Sequence, residues 1–424
     1  MPINRVYKSY QHLLLIRSDY PLSPLYSVKN LAKKLSRDEE RENKVSFVGP
    51  ENKTAILGKI AIKLETFGEW YRKLLTELKG MQSDLFGGIG FEDEAWLSVT
   101  VAEPLVDEVN TSRPGFCFGE LERNDLKKHE DAGIRALFHH PRLKDRFGTM
   151  LPGGRFVLNA VGCHDFLVRS SLARTKLATL LHISCGGPAR GTEFTTHYLR
   201  NHPQGDIRNV MVIDGRLCLV AGYNKSSSNV RLLSPHIFQS TLTFMCQTER
   251  QKRIFRFIPK GLYHVCLIDW FVIRPVEIVL AGALGLKSAM EELRFRLFPG
   301  VYHPFASEEF SKCLKRDSYL HIGVGIGIAD FRDLQSNIVD EHKDPEEVEI
   351  SAVEHVSDLQ QGHSSDMAHS YYQLRPDRPH GVGREKIKGY RRASSWWQHI
   401  TGMWNVTLKC WNEDQIFKLR NRTT

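Results

Sequence analysis

The chain has 424 residues, 41% of them hydrophobic, 25% charged and 10% aromatic. This is an ordinary globular balance, long enough for two domains or three. A formal charge of +9 and a pI of about 9.0 point to an anionic partner, of which nucleic acid is the usual one.

Eight cysteines are scattered with no CxxC and no Cys/His cluster at zinc spacing, which excludes a zinc module. They read as buried or free thiols in a reducing compartment. The opening MPINRVYKSYQHLLLIRSDYP has only the short apolar run LLLI, so no signal peptide is expected. The most apolar stretch, Trp270 to Leu286, is broken by Arg274, Pro275 and Glu277 and is too interrupted to span a bilayer. The expectation is a soluble protein of the nucleus, with the cytoplasm as second choice.

The first fifty or so residues are polar and charge-rich, and end in VGPENK. Ile56, Ile60, Leu64, Phe67, Tyr71, Leu74 and Leu78 then recur in steps of three and four, which predicts one amphipathic helix. The break GGIGFEDE and a long polar stretch lead to TMLPGG. Residues 1–155 are therefore expected to form a helical N-terminal domain. From Phe156 to Ile183 the pattern is again helical, with Phe166, Leu167, Ser170, Leu177, Leu180 and Leu181 facing inward. In RNVMVIDGRLCLVAGYNK two β-rich runs flank Asp214-Gly215, a two-residue hairpin signal. Mixed helical patterns continue to about Phe310. The acidic stretch Asp340–His355 reads as a solvated surface, and residues 381–424 as a basic appendage. The fold class expected is mainly α with a small β-sheet.

Four places can carry chemistry. In CGGPARGTEFTTHYLRN, Gly-Gly-Pro ends one helix and Arg190 opens the next. Glu193 follows three residues on, on the same face, where its carboxylate can hold a guanidinium. A fixed guanidinium suits a phosphate. Taken alone, an Arg–Glu pair is usually plain surface. Lys225 lies just after the hairpin in GYNKSSS and is alone a solvated charge. Arg332 in GIGIADFRDLQSNI stands at the start of an apolar-periodic run of Phe331, Leu334 and Ile338. Gly362-His363-Ser364 reads as a turn entering a helix, and Tyr372 lies nine residues beyond His363.

The order Arg190, Lys225, Arg332, His363, Tyr372 resembles the catalytic set of tyrosine recombinases. GGPARGTE resembles that family's first-arginine box, and GHSSDMAHSYY its Gly-His-Ser turn with the nucleophilic tyrosine. Together with RIFRFIPKGL, the wording is most similar to the recombinase-like region of fungal proteins related to telomere-linked RecQ-type helicases. The resemblance implies a catalytic domain over 156–380, a core-binding-like domain before it, and double-stranded DNA as partner, with a homo-oligomer assembled on it. It also implies strand breakage and rejoining through a 3′-phosphotyrosyl intermediate, as in site-specific recombination or integration. Tyr372 would be the nucleophile, Arg190, Arg332 and His363 the phosphate ligands, Lys225 the general acid and Glu193 a supporting residue. No metal, nucleotide or other cofactor is implied.

Two departures stand against this. The family usually carries His-x-x-Arg at the second arginine, and here Ala329 takes the histidine's place; His321 is nearby in sequence, with nothing in the sequence to make it a substitute. Tyr371 adjoins Tyr372. Alternative readings are a catalytically degenerate DNA-binding protein that keeps the recombinase fold, or the non-motor region of a helicase-related protein, since no GxxxxGK[ST] phosphate loop occurs. GVGIG at Gly323–Gly327 lacks the context of a dinucleotide loop, and the histidines at 139, 140 and 164 read as surface or core residues.

Overall fold

A computed structural model describes residues 45–89, 104–140, 143–152, 156–223, 252–342 and 384–403. These residues are mainly helical, with small antiparallel sheets. Among them no helix is long and apolar enough to cross a membrane.

The chain enters as a three-stranded meander of β1 (Val45–Val48), β2 (Thr54–Leu57) and β3 (Ile60–Lys63). The long helix α1 (Leu64–Leu85) follows directly. This corrects the helix expected from Ile56. Ile56 pairs with Ser46 and Ala61, and Ile60 with Leu57, so both lie in strands. Their spacing of four satisfies a two-residue period as well as a helical one, and the turn at Gly58, with φ +62°, decides for strands. From Leu64 onward the expected face holds: Leu64, Phe67, Tyr71, Leu74 and Leu78 are all buried.

Helices α2 (Glu130–His139) and α3 (Lys144–Phe147) lead to a small hairpin, β4 (Gly148–Met150) and β5 (Phe156–Leu158). The central helix α4 (Ala160–Ser184) comes next, started by the Asn159 side chain, which accepts from the Gly162 N–H. All six of its expected inward residues are buried. α4 packs along α1, and the described residues on both sides of 155 share one apolar core. The short helix α5 (Gly191–Thr195) precedes the second sheet, β6 (Val210–Ile213), β7 (Arg216–Tyr223) and β8 (Lys252–Phe257), in the order β6-β7-β8. The expected hairpin is present, with Asp214 at φ +48° and Gly215 at φ +73° between β6 and β7, both left-handed as a two-residue turn requires.

A continuous helical run follows: α6 (Tyr263–Ile268), a π-turn (Asp269–Ile273) and α7 (Arg274–Ala283). The π-turn sets Asp269 into a buried network with Arg174, Arg274 and Glu277, two cations balanced by two anions. Arg174 Nε and Nη2 donate to the two oxygens of Asp269 at 3.3 and 3.2 Å, tying α4 to this run. Helices α8 (Lys287–Phe295), α9 (Ser307–Ile322) and α10 (Ile328–Glu341) complete the middle of the chain.

The last described element, α11 (Arg384–Ile400), differs from the expected appendage. Trp397 and Met403 belong to the main core, and Ile387 and Tyr390 pack with Phe255 and Phe257 against the second sheet. Its apolar residues share one face, so a basic helix can still be an integral one.

Candidate functional site

The site forms where α4 ends. Cys185 closes the helix through its N–H to Leu181 O. Gly186 turns the chain at φ +96°, a value open to glycine, and Pro188 prevents the helix from resuming. Arg190 then takes an extended conformation at the N-cap of α5, with its side chain exposed. Glu193, three residues on, bonds back to the Arg190 backbone, as the acidic member of a capping box does.

Glu193 also meets an arginine that sequence reasoning did not single out. Arg256 Nη1 lies 3.1 Å from Glu193 Oε1, and its Nε donates to Gly187 O at 2.5 Å. Arg256 is only 4% exposed, so it braces the loop from beneath. Strand alternation put it there. Phe255 and Phe257 turn toward α11, while Arg256, opposite Leu219, turns toward the main core and α5. The signal was legible in RIFRF as a charge on the alternate face of a strand.

Arg332 arrives from α10. Phe331, Leu334 and Ile338 are buried as expected, and Arg332, on the half-exposed side, donates its Nε to Pro188 O at 3.2 Å. Arg190 and Arg332 thus border the same loop. Burial, together with the positive charges of Arg190 and Arg256, holds the Arg332 guanidinium below its usual pKa, against the pull of Glu193. Burial alone would raise the Glu193 carboxyl. Arg256 and the backbone of Arg190 hold Glu193 below the carboxylate range. Arg190, Arg256 and Arg332 are thus gathered around this loop with Glu193 and Asp333, so positive charge is in excess.

Two buried histidines underlie the site. His182 is enclosed by Phe194, Phe310 and Phe331, with ring centroids 5.0 to 5.7 Å away, and neither ring nitrogen has a hydrogen-bond partner. Burial, then Arg256 and Arg332, depress its pKa to about 3. His197 Nδ1 lies 2.6 Å from Glu193 O, and burial depresses its pKa to about 4. Both are neutral near pH 7.

Lys225, His363, Tyr371 and Tyr372 lie outside the described residues. Lys225 comes two positions after the end of β7. Ala329 falls in the first turn of α10, and His321 lies elsewhere, in the last turn of α9. It ends α9 beside Glu77 at 3.3 Å, in a cluster with Lys176 and Asp317. Gly323–Gly327 is the α9–α10 connection, with Ile326 N–H donating to Ser318 Oγ at 2.7 Å. No group of His, Cys, Asp or Glu among the described residues is arranged to hold a metal ion.

No protein-family model, curated protein or solved structure matches this chain.

Proposed function

We propose that this protein breaks and rejoins DNA strands by transesterification, with Arg190 and Arg332 holding the scissile phosphate. The observation that carries this reading is their meeting on one loop, 187–190, from helices far apart in sequence. Two guanidinium groups there offer planar N–H donors to the non-bridging oxygens, where negative charge grows in the transition state. In this reading Tyr372 Oη attacks phosphorus, its proton passing to a base, and the 5′ oxygen departs with a proton from Lys225. His363 adds a third donor to the phosphate. The phosphotyrosyl ester has an energy similar to the bond broken, so rejoining needs no nucleotide.

Residues 156–380 would then be the catalytic unit and the preceding helical part a DNA-binding one. The partner would be double-stranded DNA in the nucleus, and subunits would assemble on it. The test is trapping of a covalent protein–DNA adduct on a nicked suicide duplex. Adduct formation that survives Arg190→Ala would overturn the proposal.

Ala329 favours a second reading. Without an imidazole at that place, and with His321 held beside Glu77, a protein that binds DNA without cutting it fits the same arginines. Duplex binding with no adduct on any nicked substrate distinguishes it.

A further inference from the structure

A helix end leaves its last carbonyls without partners, and buried ones need them. At the end of α4, three successive carbonyls are met by side chains of α11. Trp397 Nε1 donates to Ile183 O at 2.7 Å, Gln398 Nε2 to Ser184 O at 3.0 Å, and Ser394 Oγ to Cys185 O at 2.9 Å. Positions 394, 397 and 398 share one helical face. That face also takes both backbone groups of Phe257 on the edge strand β8. The Phe257 N–H donates to Ser394 Oγ at 3.2 Å, and Gln398 Nε2 reaches Phe257 O at 3.3 Å.

Cys185 opens the loop that carries Gly187, Pro188 and Arg190, and Phe257 follows Arg256. The Ser394 hydroxyl is thus one atom that accepts from the strand and donates to the loop. Two further carbonyls of the loop, those of Gly187 and Pro188, accept from Arg256 and Arg332. The whole turn is held by backbone-directed bonds from three other elements.

We propose that Ser394 is a positioning residue of the arginine site. It acts through Cys185 O and Phe257 N, keeping the Arg190 loop and the Arg256 strand in one register. The spacing of the guanidinium groups around a phosphate follows from that register. The inference rests on the reading of Arg190 and Arg332 as phosphate ligands. Ser394→Ala leaves a buried N–H and a buried C=O without their shared partner, so loop and strand are free to shift. Ser394→Thr keeps the hydroxyl.

The test is calorimetric titration of the full chain with inorganic phosphate, at a temperature where every variant is folded by circular dichroism. Arg190→Met identifies the binding that belongs to the site. Ser394→Ala is expected to weaken it about tenfold, because loop and strand lose the bond that holds the guanidinium groups at their spacing. Ser394→Thr should bind within about twofold of the unchanged protein, because the linking hydroxyl is kept. Trp397→Phe serves as the structural control. It loses the bond to Ile183 O but not the bridge, so it should lower the melting temperature and leave phosphate affinity unchanged. Should Ser394→Ala fail to fold, Gln398→Met removes the second bridge and should show the same loss. The inference fails if Ser394→Ala, or Gln398→Met in its place, binds phosphate as the unchanged protein does. It also fails if Trp397→Phe or Ser394→Thr weakens binding as much. If Arg190→Met leaves phosphate affinity unchanged, the arginine reading itself falls and this inference goes with it.

Discussion

Arg332 donates its Nε to the carbonyl of Pro188, 144 residues earlier in the chain, at 3.2 Å. Burial and the nearby charge of Arg190 hold the Arg332 guanidinium below its usual pKa. Lysine has the charge but not the fork, so Arg332→Lys cannot hold the carbonyl and grip a phosphate at once. Covalent adduct formation on a nicked duplex should fall by about two to three orders of magnitude, the typical loss of one transition-state donor. Duplex affinity should change little, because other cations supply most of the attraction. Binding itself should weaken steeply with salt. Equal losses in cleavage and affinity would argue against a transition-state role.

Arg256→Met strands the Glu193 carboxylate and the Gly187 carbonyl together. Breaking a buried ion pair costs about 3–5 kcal/mol, and the partial exposure of Glu193 places this one toward the lower end. Adding Glu193→Gln to Arg256→Met should recover part of the loss, since the orphaned charge is gone. Urea unfolding of the two single variants and the double variant measures the coupling. Additive effects would mean that the pair contributes nothing beyond its separate members.

Much of this architecture was legible in the residues. The pair Asp214-Gly215 demands a left-handed turn, and the hairpin is there. The inward positions of α4 follow from helical spacing, and Arg190 caps α5 as Gly-Gly-Pro before it implied. The meander was not legible, because Ile56 and Ile60 satisfy two periods and only a turn at Gly58 separates them. Arg256 shows in RIFRF only as a charge on the alternate face of a strand, and its partners, Gly187 and Glu193, are remote in sequence. The burial of α11 was hidden for a related reason. Its serine, tryptophan and glutamine show no sign of their partners until the α4 carbonyls they satisfy are known.

Acid should destabilise the protein through His182 and His197. Both have folded pKa values of about 3 and 4, below the ordinary value of about 6.5 in an unfolded chain. Between those values the unfolded chain takes up protons that the folded one refuses. Their contribution is therefore full above about pH 6.5 and is lost as pH falls toward 4. Each histidine adds a slope of up to about 1.4 kcal/mol per pH unit. His182→Phe should lower that slope by one histidine's share, measured by urea unfolding across this range. Any packing penalty would displace the curve without altering its steepness. An unchanged slope would mean that His182 is protonated in the folded protein.

Arg174 belongs to a different balance. With Arg274 it faces Asp269 and Glu277, and Glu277 is fully buried. Arg174→Met leaves two anions to one cation where water does not reach. A loss of about 3–5 kcal/mol in chemical denaturation is expected. Glu277→Gln should cost less, since its amide oxygen can still accept from Arg174 while the Ser170 hydroxyl accepts from its NH2.

Tyr372 is the sharpest test of the proposed chemistry. Its distance of nine residues from His363 selects it over its neighbour Tyr371. If the helix expected after Gly362-His363-Ser364 carries both, their side chains would point about 100° apart and only one would face the phosphate. Tyr372→Phe removes one oxygen and leaves the ring. It should abolish covalent adduct formation and leave duplex affinity nearly unchanged, because binding rests on the basic residues. Tyr371→Phe should form the adduct at close to the normal rate. The reverse pattern would move the nucleophile to Tyr371 and break the spacing argument. Adduct formation in both single variants would mean that the attacking oxygen comes from elsewhere, and the order Arg190, Lys225, Arg332, His363, Tyr372 would lose its chemical meaning.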